Sequence, residues 1–503
     1  MNTPDILLSI RARREARLAD EGPTLGVAMP AERTVPLVPF GSEEFLIAEI
    51  KRKSPSAGEI SAAADPVKQA GLYVAEGLNH FSVLTEEDYF GGSLQDLMQV
   101  KQAFPSCAIL RKDFLLNAAD VDVSYRAGAD AVLLIAAMLA PAEAREIMER
   151  ARACGLAVLV ECHDAEEIEA VRELNPELYG INSRDLRTFR MDPLLPPALR
   201  GLLPGGARCV YESGIFGYES ALLAGSSDFH GVLVGEALMR NPAVAGEITR
   251  GLSAGRALLG RSEHGNPRFW SRLAARRPVP AADAGAAQAP ARPLVKICGI
   301  TRAEDAHLAV ELGADVLGFV FANSPRRATP ELLHELASTA VLKVAVVVNE
   351  LPPEVQQLLR AGLLDAVQLH GDERPEDCLS LGFPYYKALR LGGADGAAAN
   401  QQAERIRDYR CPRVLLDAFV PGQAGGTGKR IDPDLVEQAA TMGPLWLAGG
   451  LSPDNIAEII RDHSPELIDA SSGLESAPGR KDPARMKRYF QEIQNATTSI
   501  PSL

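Results

Sequence analysis

Residues 45–56 read FLIAEIKRKSPS, an apolar run that passes into a charged segment and breaks at Ser54-Pro55-Ser56. Phe45–Ile50 has the length and composition of a short buried strand, and the Ser-Pro-Ser break marks where a strand must stop. Glu49 and Lys51 are two residues apart, so on a strand they project to the same side. An acid and an amine on the inner side of a buried strand are costly unless paired or used. One such stretch is satisfied by a structural ion pair beside a solvated turn. Here the strand-end pattern recurs, with Lys112, Glu161, Asn182 and Glu212 closing later apolar runs. The recurrence points to a site built on strand ends.

Outward from this stretch, short apolar runs alternate with longer segments of helical spacing. The runs are 45–50, 81–85, 107–114, 131–137, 157–162, 178–182, 209–213 and 231–235. Strands separated by helices pair in parallel through crossovers, and eight such units close into a (β/α)8 barrel. A doubly wound open sheet more often uses five or six strands. Residues 278–293, PVPAADAGAAQAPARP, hold seven Ala and four Pro, a composition that reads as a semi-extended linker. Phe269 and Trp270 precede it and are expected to pack back on a barrel. The alternation then restarts with 294–300, 316–321, 343–348, 366–370, 386–391, 414–418, 445–449 and 467–470. The expected architecture is α/β, two tandem (β/α)8 TIM barrels: residues 1–255 with a helical extension over 1–44, a linker over 256–293, and residues 294–503.

The 503-residue length suits two domains of about 200–250 residues. A net charge of −14 argues against a nucleic-acid partner. Seven cysteines without CxxC spacing fit a reducing compartment, and eight histidines without HExxH give no reason to expect a metal. The longest apolar stretch, 131–140, is far short of a membrane span, and no signal-peptide core is present, so a cytoplasmic monomer without a membrane partner is expected. Residues 4–20 read as an amphipathic, Arg-rich helix whose charged face is expected to be solvated.

The halves echo each other near their ends. YESGIFGYES (211–220) and GVLVGEALMRNP (231–242) in the first match LAGGLSPDN (447–455) and LIDASSGLE (467–475) in the second: a strand, a Gly turn and a helix start, twice. Backbone N–H groups exposed by Gly at a helix start bind phosphate, and barrels often build such a cup after strands seven and eight. A phosphorylated small-molecule substrate is expected for each barrel.

These motifs resemble two known families. AEIKRKSPS, SVLTEEDYFGGS (82–93), LRKDF (110–114), LVECHD (159–164), GINSRDL (180–186) and YESGI (211–215) are similar to indole-3-glycerol-phosphate synthase. KICGITR (296–302), NSPRR (323–327), QLHGDE (368–373), LLDA (415–418), GGTGK (425–429), LAGGL and DASSGLE are similar to phosphoribosylanthranilate isomerase. The order is that of the fused bifunctional enzymes of tryptophan biosynthesis. The resemblance implies an isomerase that makes the substrate of a synthase, with neither cofactor nor metal. The rival reading is one active barrel beside a phosphate-binding scaffold.

For the first barrel the resemblance implies Lys112 and Lys51 as proton donors, with Glu49, Glu161 and Glu212 as their partners, base or relay. Asn182 would bind sugar hydroxyls, Arg184 a carboxylate or phosphate, and Ser54, Ser213, Gly214 and Gly235 the phosphate. Glu236 stands where many relatives carry a small hydroxyl residue, and is expected to turn outward. For the second barrel it implies Cys298 as base, Asp417 as acid and Arg326 as the anthranilate-carboxylate ligand. Lys296, two residues before Cys298, is expected to favour the thiolate. Gly426, Thr427 and Gly428 would form a closing loop, and Gly449, Gly450, Ser471, Ser472 and Gly473 the phosphate cup. His370 is open between ligand contact and satisfied core histidine.

Overall fold

The computed structural model describes residues 6–41, 44–54, 58–59, 65–185, 190–259, 268–277, 291–379, 381–391, 409, 411–418 and 443–498. They divide into two compact units, Met1–Gly260 and Arg261–Leu503. The strands of the first are β1 (Phe45–Ile50), β2 (His80–Leu84), β3 (Ala108–Lys112), β4 (Ala131–Ile135), β5 (Ala157–Cys162), β6 (Leu178–Asn182), β7 (Cys209–Glu212) and β8 (Gly231–Val234). They form a closed parallel barrel in which β1 pairs both β2 and β8, with Glu49 opposite Ser82 and Ala48 opposite Val234. The second unit repeats this with β9 (Leu294–Cys298), β10 (Val316–Val320), β11 (Leu342–Val347), β12 (Ala366–Leu369), β13 (Tyr385–Leu391), β14 (Val414–Ala418), β15 (Trp446–Ala448) and β16 (Leu467–Ala470). It too is a closed barrel, with β9 joined to β16.

The pleat explains where chemistry falls. Ile47, Leu110, Leu133, Leu159, Val210 and Leu233 share one buried cluster in the first barrel. Two residues on along four of these strands come Glu49, Lys112, Glu161 and Glu212. Side chains two apart share a face, so the polar groups sit one layer above an apolar floor, at the C-terminal ends of the strands.

The Arg-rich helix α1 (Ile6–Glu21) corrects the expectation of a solvated face. Arg14 is buried, 2.8 Å from Asp120 and 3.4 Å from Asp113, while Arg11 reaches Glu143 at 2.8 Å and Arg17 reaches Glu87 at 2.7 Å. Helical spacing reveals that a face is charged; it does not reveal that carboxylates distant in sequence will cover it. Phe269–Ala274 is a helix of the second unit. Phe269 stacks on Tyr386, and Trp270 meets Trp446 with centroids 6.0 Å apart, so the rings close the N-terminal end of that barrel where β13 and β15 begin.

Candidate active sites

In the first barrel, Lys112 Nζ lies 2.8 Å from Glu161 Oε2 and 2.6 Å from Glu212 Oε2. Beside it, Lys51 Nζ is 2.5 Å from Glu49 Oε1. Asn182 Nδ2 donates to Glu161 Oε1 at 2.9 Å, and its Oδ1 accepts from the Arg184 backbone N–H at 3.0 Å. All these side chains line one cavity, open to solvent, together with Ser213, Gly214, Gly235 and Glu236. Phe90, Phe114, Met191 and Phe216 give the same cavity an apolar wall suited to an aromatic ring. Ser54 has a described backbone, paired with Gly58 in a short hairpin.

Two glycines make room for these charges. A Cβ on Gly235 would stand 2.4 Å from Glu49 Oε1, and one on Gly180 would stand 2.0 Å from Glu212 Oε1. After β7 the chain turns through two successive left-handed residues, Ser213 (φ 65) and Gly214 (φ 76). For Ser213 that conformation costs about 1 kcal/mol, tolerated where the turn presents backbone toward a ligand. Glu236 pairs with Arg240 at 2.8 Å, turned toward its own helix yet still on the cavity wall.

The ionisation pattern is asymmetric. Burial opposes the charge on Lys112, but Glu161 and Glu212 outweigh it and hold the ammonium. Burial also opposes charge on Glu161, where Lys112 and then His163 prevail and pull the carboxyl well below its usual range. On Glu212 burial wins over Lys112 and, with Glu161 adding to it, pushes the carboxyl up to about 8. Burial lowers the Arg184 guanidinium against the opposing pull of Glu236 and Glu49.

In the second barrel, Cys298 ends β9, with only 9% of its surface exposed. A Cβ on Gly318 would lie 2.7 Å from Cys298 Sγ and 3.0 Å from Lys296 Nζ, so thiol and ammonium share the space that Gly318 leaves. Lys296 Nζ is 2.5 Å from Asp469 Oδ2 and donates to Gln368 Oε1 at 2.9 Å. Gln368 Nε2 is 3.2 Å from His370 Nδ1, and His370 Nε2 is 3.0 Å from Asp417 Oδ2. A polar chain therefore runs from Lys296 to Asp417. His370 is thereby the partner of the acid candidate, Asp417.

Lys296 pulls toward the Cys298 thiolate, the expected direction, but it does not prevail. Burial outweighs Lys296 and pushes the Cys298 thiol up, with Asp469 adding to the rise and Lys481 opposing it. Arg326 is held bidentate by Glu475, Nη2 to Oε2 at 2.7 Å and Nε to Oε1 at 2.9 Å, and Glu475 Oε1 is also 3.1 Å from Lys481 Nζ. Gly449 and Gly450 turn left-handed after β15 (φ 91 and 67), and Ser471, Ser472 and Gly473 follow β16. Lys481 Nζ donates to the Ser471 carbonyl at 3.1 Å. Gly426, Thr427 and Gly428 lie outside the described residues.

Sequence reasoning passed over His163, Gly180, Gln368, Glu475 and Lys481. The first two stand inside the quoted motifs LVECHD and GINSRDL, and Gln368 precedes His370 by one pleat.

Residues 38–250 match the family described as indole-3-glycerol phosphate synthase, and residues 295–492 match N-(5'-phosphoribosyl)anthranilate (PRA) isomerase. The tryptophan biosynthesis protein TrpCF of Yersinia pestis is 33% identical over 467 residues, covering 90% of this chain and 86% of that protein. The chain belongs to the fused synthase–isomerase family of tryptophan biosynthesis. The multifunctional tryptophan biosynthesis protein of Phycomyces blakesleeanus is 31% identical over 508 residues, and the chain spans 63% of its length. The N-(5'-phosphoribosyl)anthranilate isomerase of Trichlorobacter lovleyi is 44% identical over 207 residues, which are 40% of this chain and 98% of that protein. The first barrel is thus the synthase-family barrel and the second the isomerase-family barrel. No helix among the described residues is long and apolar enough to cross a membrane.

Proposed function

We propose that the isomerase-family barrel converts N-(5-phosphoribosyl)anthranilate to 1-(2-carboxyphenylamino)-1-deoxyribulose 5-phosphate, and that the synthase-family barrel closes this product to indole-3-glycerol phosphate. The observation that carries the reading is the Lys112 ammonium held between Glu161 and Glu212 in a cavity with an aromatic wall.

In the rearrangement, Asp417 protonates the ribose ring oxygen as the bond from carbon one to that oxygen breaks. The Cys298 thiolate removes the proton from carbon two, and the resulting enol settles as the ketone. Asp417 is backed by His370 at 3.0 Å, and Arg326 pairs with the anthranilate carboxylate. Gly449, Gly450, Ser471, Ser472 and Gly473 offer turns for the phosphate.

In the cyclisation, the ring carbon that bears the carboxylate attacks the ketone carbon while Lys112 gives a proton to the ketone oxygen. Carbon dioxide leaves with cleavage of the ring–carboxylate bond, restoring aromaticity. The hydroxyl then departs as water with a proton from Lys51, and Glu49 or Glu161 accepts the proton lost from the neighbouring methylene. Asn182 binds a sugar hydroxyl, Arg184 the substrate carboxylate, and the turns at Ser54, Ser213–Gly214 and Gly235 the phosphate.

Expression of the full chain in two tryptophan-requiring bacterial strains, each lacking one activity, tests the pair. Rescue of both is expected. Rescue of one alone would make the other barrel a phosphate-binding scaffold.

A further inference from the structure

Lys112 is shared by two carboxylates that differ in what else surrounds them. Glu161 receives Lys112 at 2.8 Å on Oε2 and Asn182 at 2.9 Å on Oε1, and His163 Nε2 stands 3.1 Å from that same Oε1. Glu212 receives Lys112 on Oε2, while its Oε1 is buried with no hydrogen-bond partner among the described residues, in the space opened by Gly180. Two carboxylates beside one ammonium do not both stay ionised at low cost, and the one with more positive surroundings keeps its charge.

His163 supplies much of that asymmetry. Its Nδ1 is 3.1 Å from Glu167 Oε2, which also accepts the His163 backbone N–H at 2.8 Å. The ring is wedged between Glu161 and Glu167, with 11% of its side chain exposed, and does not line the cavity. With Nε2 3.1 Å from Glu161 Oε1, the protonated ring forms an ion pair with that carboxylate.

We infer that His163 is a positioning residue of the synthase-family site: as an imidazolium braced by Glu167, it fixes Glu161 as the carboxylate and leaves the shared proton on Glu212. The electrostatics agree. Burial opposes the His163 charge, yet Glu161 and Glu167 raise the imidazole to about 10. The charged groups around the pair are Glu49 and Lys51 at the end of β1, Lys112 at the end of β3, His163 after β5 and Glu167 on the helix Ala165–Arg172. At neutral pH, Lys112 is then flanked by one proton acceptor and one proton donor rather than by two equivalent groups. The inference deepens the cyclisation reading and rests on it, but its test does not require turnover.

The test is an infrared titration of the full chain, following the buried protonated carboxyl of Glu212, in the native protein and in His163→Gln. Glutamine keeps a neutral donor and removes the charge. Loss of a cation makes the carboxylate pair hold its proton more tightly, so the titration should move to higher pH by about one unit, and the pH limb of cyclisation should move with it. His163→Asn, a shorter neutral amide that also removes the charge, should give the same shift and serves if His163→Gln does not fold. A merely structural role would lower Tm without moving the titration. A native titration midpoint in the folded variant overturns the inference. Full cyclisation by Lys112→Met would instead overturn the functional reading and leave the titration result standing.

Discussion

The two barrels differ most in the layer directly beneath their sites. In the first, Lys112, Glu161 and Glu212 rest on Leu110, Leu159 and Val210, an apolar floor. In the second, Cys298, His370 and Asp417 stand over Lys296, Gln368, Tyr386 and Asp469, all buried and joined by hydrogen bonds. Charges above an apolar floor must satisfy one another, so the first site is a mutually paired cluster whose ionisation is decided by the charges packed around it. Charges below the second site are settled before substrate arrives. What remains for Cys298 is a buried thiol whose burial outweighs its ammonium neighbour. One fold thus sets proton affinity in two ways, by sharing and by burial.

The largest effect expected from breaking this contrast is at Lys112. Lys112→Met keeps the packing stem and deletes the charge, leaving Glu161 and Glu212 face to face. Cyclisation should fall by ~10²-fold or more while isomerisation is unchanged, measured as kcat for each reaction in the same preparation. Near-native cyclisation would assign Lys112 to structure. Cys298→Ser is the matching break in the second site, expected to cost ~10²-fold in isomerisation alone, because a hydroxyl is a far weaker base at the same place. In the native chain only the deprotonated thiol accepts a proton, and burial pushes that thiol upward. Isomerisation and alkylation by iodoacetamide should therefore both rise as pH climbs past neutrality toward and beyond the ordinary thiol value, and bound substrate should protect. A rate flat from pH 6 to 9 would mean that the base is not this thiol.

The strand-end groups were legible because one pleat fixes their direction: Glu49, Lys112, Glu161 and Glu212 each close an apolar run, and period-two alternation alone aims them together. The restart of the alternation at Leu294–Cys298 was legible in the same way, while residues 278–290 of the expected linker lie outside the described residues. What sequence could not give was the sign of a competition. Lys296 beside Cys298 suggested a thiolate, but only a closed barrel reveals how completely the sulfur is desolvated and that Asp469 claims the ammonium. The Arg face of α1 was misread for a related reason, since Asp113 and Asp120 are about a hundred residues away along the chain. Gly180 was quoted in a motif without a physical role and Gly235 only as a phosphate turn, because the need for an absent Cβ appears only when a facing carboxylate is placed.

The first barrel's reliance on paired charge extends to α1, and Arg14→Lys sharpens that point with a smaller effect. Lysine keeps the charge but loses the fork that spans Asp113 and Asp120, costing about 1–2 kcal/mol. Burial opposes ionisation of Asp113, but Arg14 and Arg111 hold its carboxyl at about 2 against the ordinary 3.8. The folded value lies below the unfolded one, so this stabilisation is present above about pH 4 and is lost as pH falls toward 2. Both tryptophans, Trp270 and Trp446, belong to the second unit, so calorimetry should record a transition of the first unit that Trp fluorescence does not follow. Arg14→Lys should lower that transition at pH 7 and narrow the gap to the native chain at pH 3. An equal shift of the fluorescent transition would place the effect outside the first barrel.

The smallest expected effect concerns Glu236, the carboxylate next to the Gly235 turn on the first cavity wall. Its carboxylate is held by Arg240 at 2.8 Å, an exposed pair in which the arginine side chain is 73% accessible, so removing the pair should change stability by no more than about 0.5 kcal/mol. Binding is a separate matter. A carboxylate about 8 Å from a phosphate dianion in a water-filled mouth repels it by about 1 kcal/mol, before screening by salt. Glu236→Ser should therefore lower KM for cyclisation by ~2–5-fold at low ionic strength and leave kcat unchanged, since the phosphate is bound equally in ground and transition states. Added salt should erase the difference, because the repulsion acts across a distance comparable to the Debye length at physiological ionic strength. The second barrel should keep its own KM in the same variant. A KM for cyclisation unmoved at low salt would mean that Arg240 already neutralises Glu236, and that the phosphate meets backbone N–H groups alone.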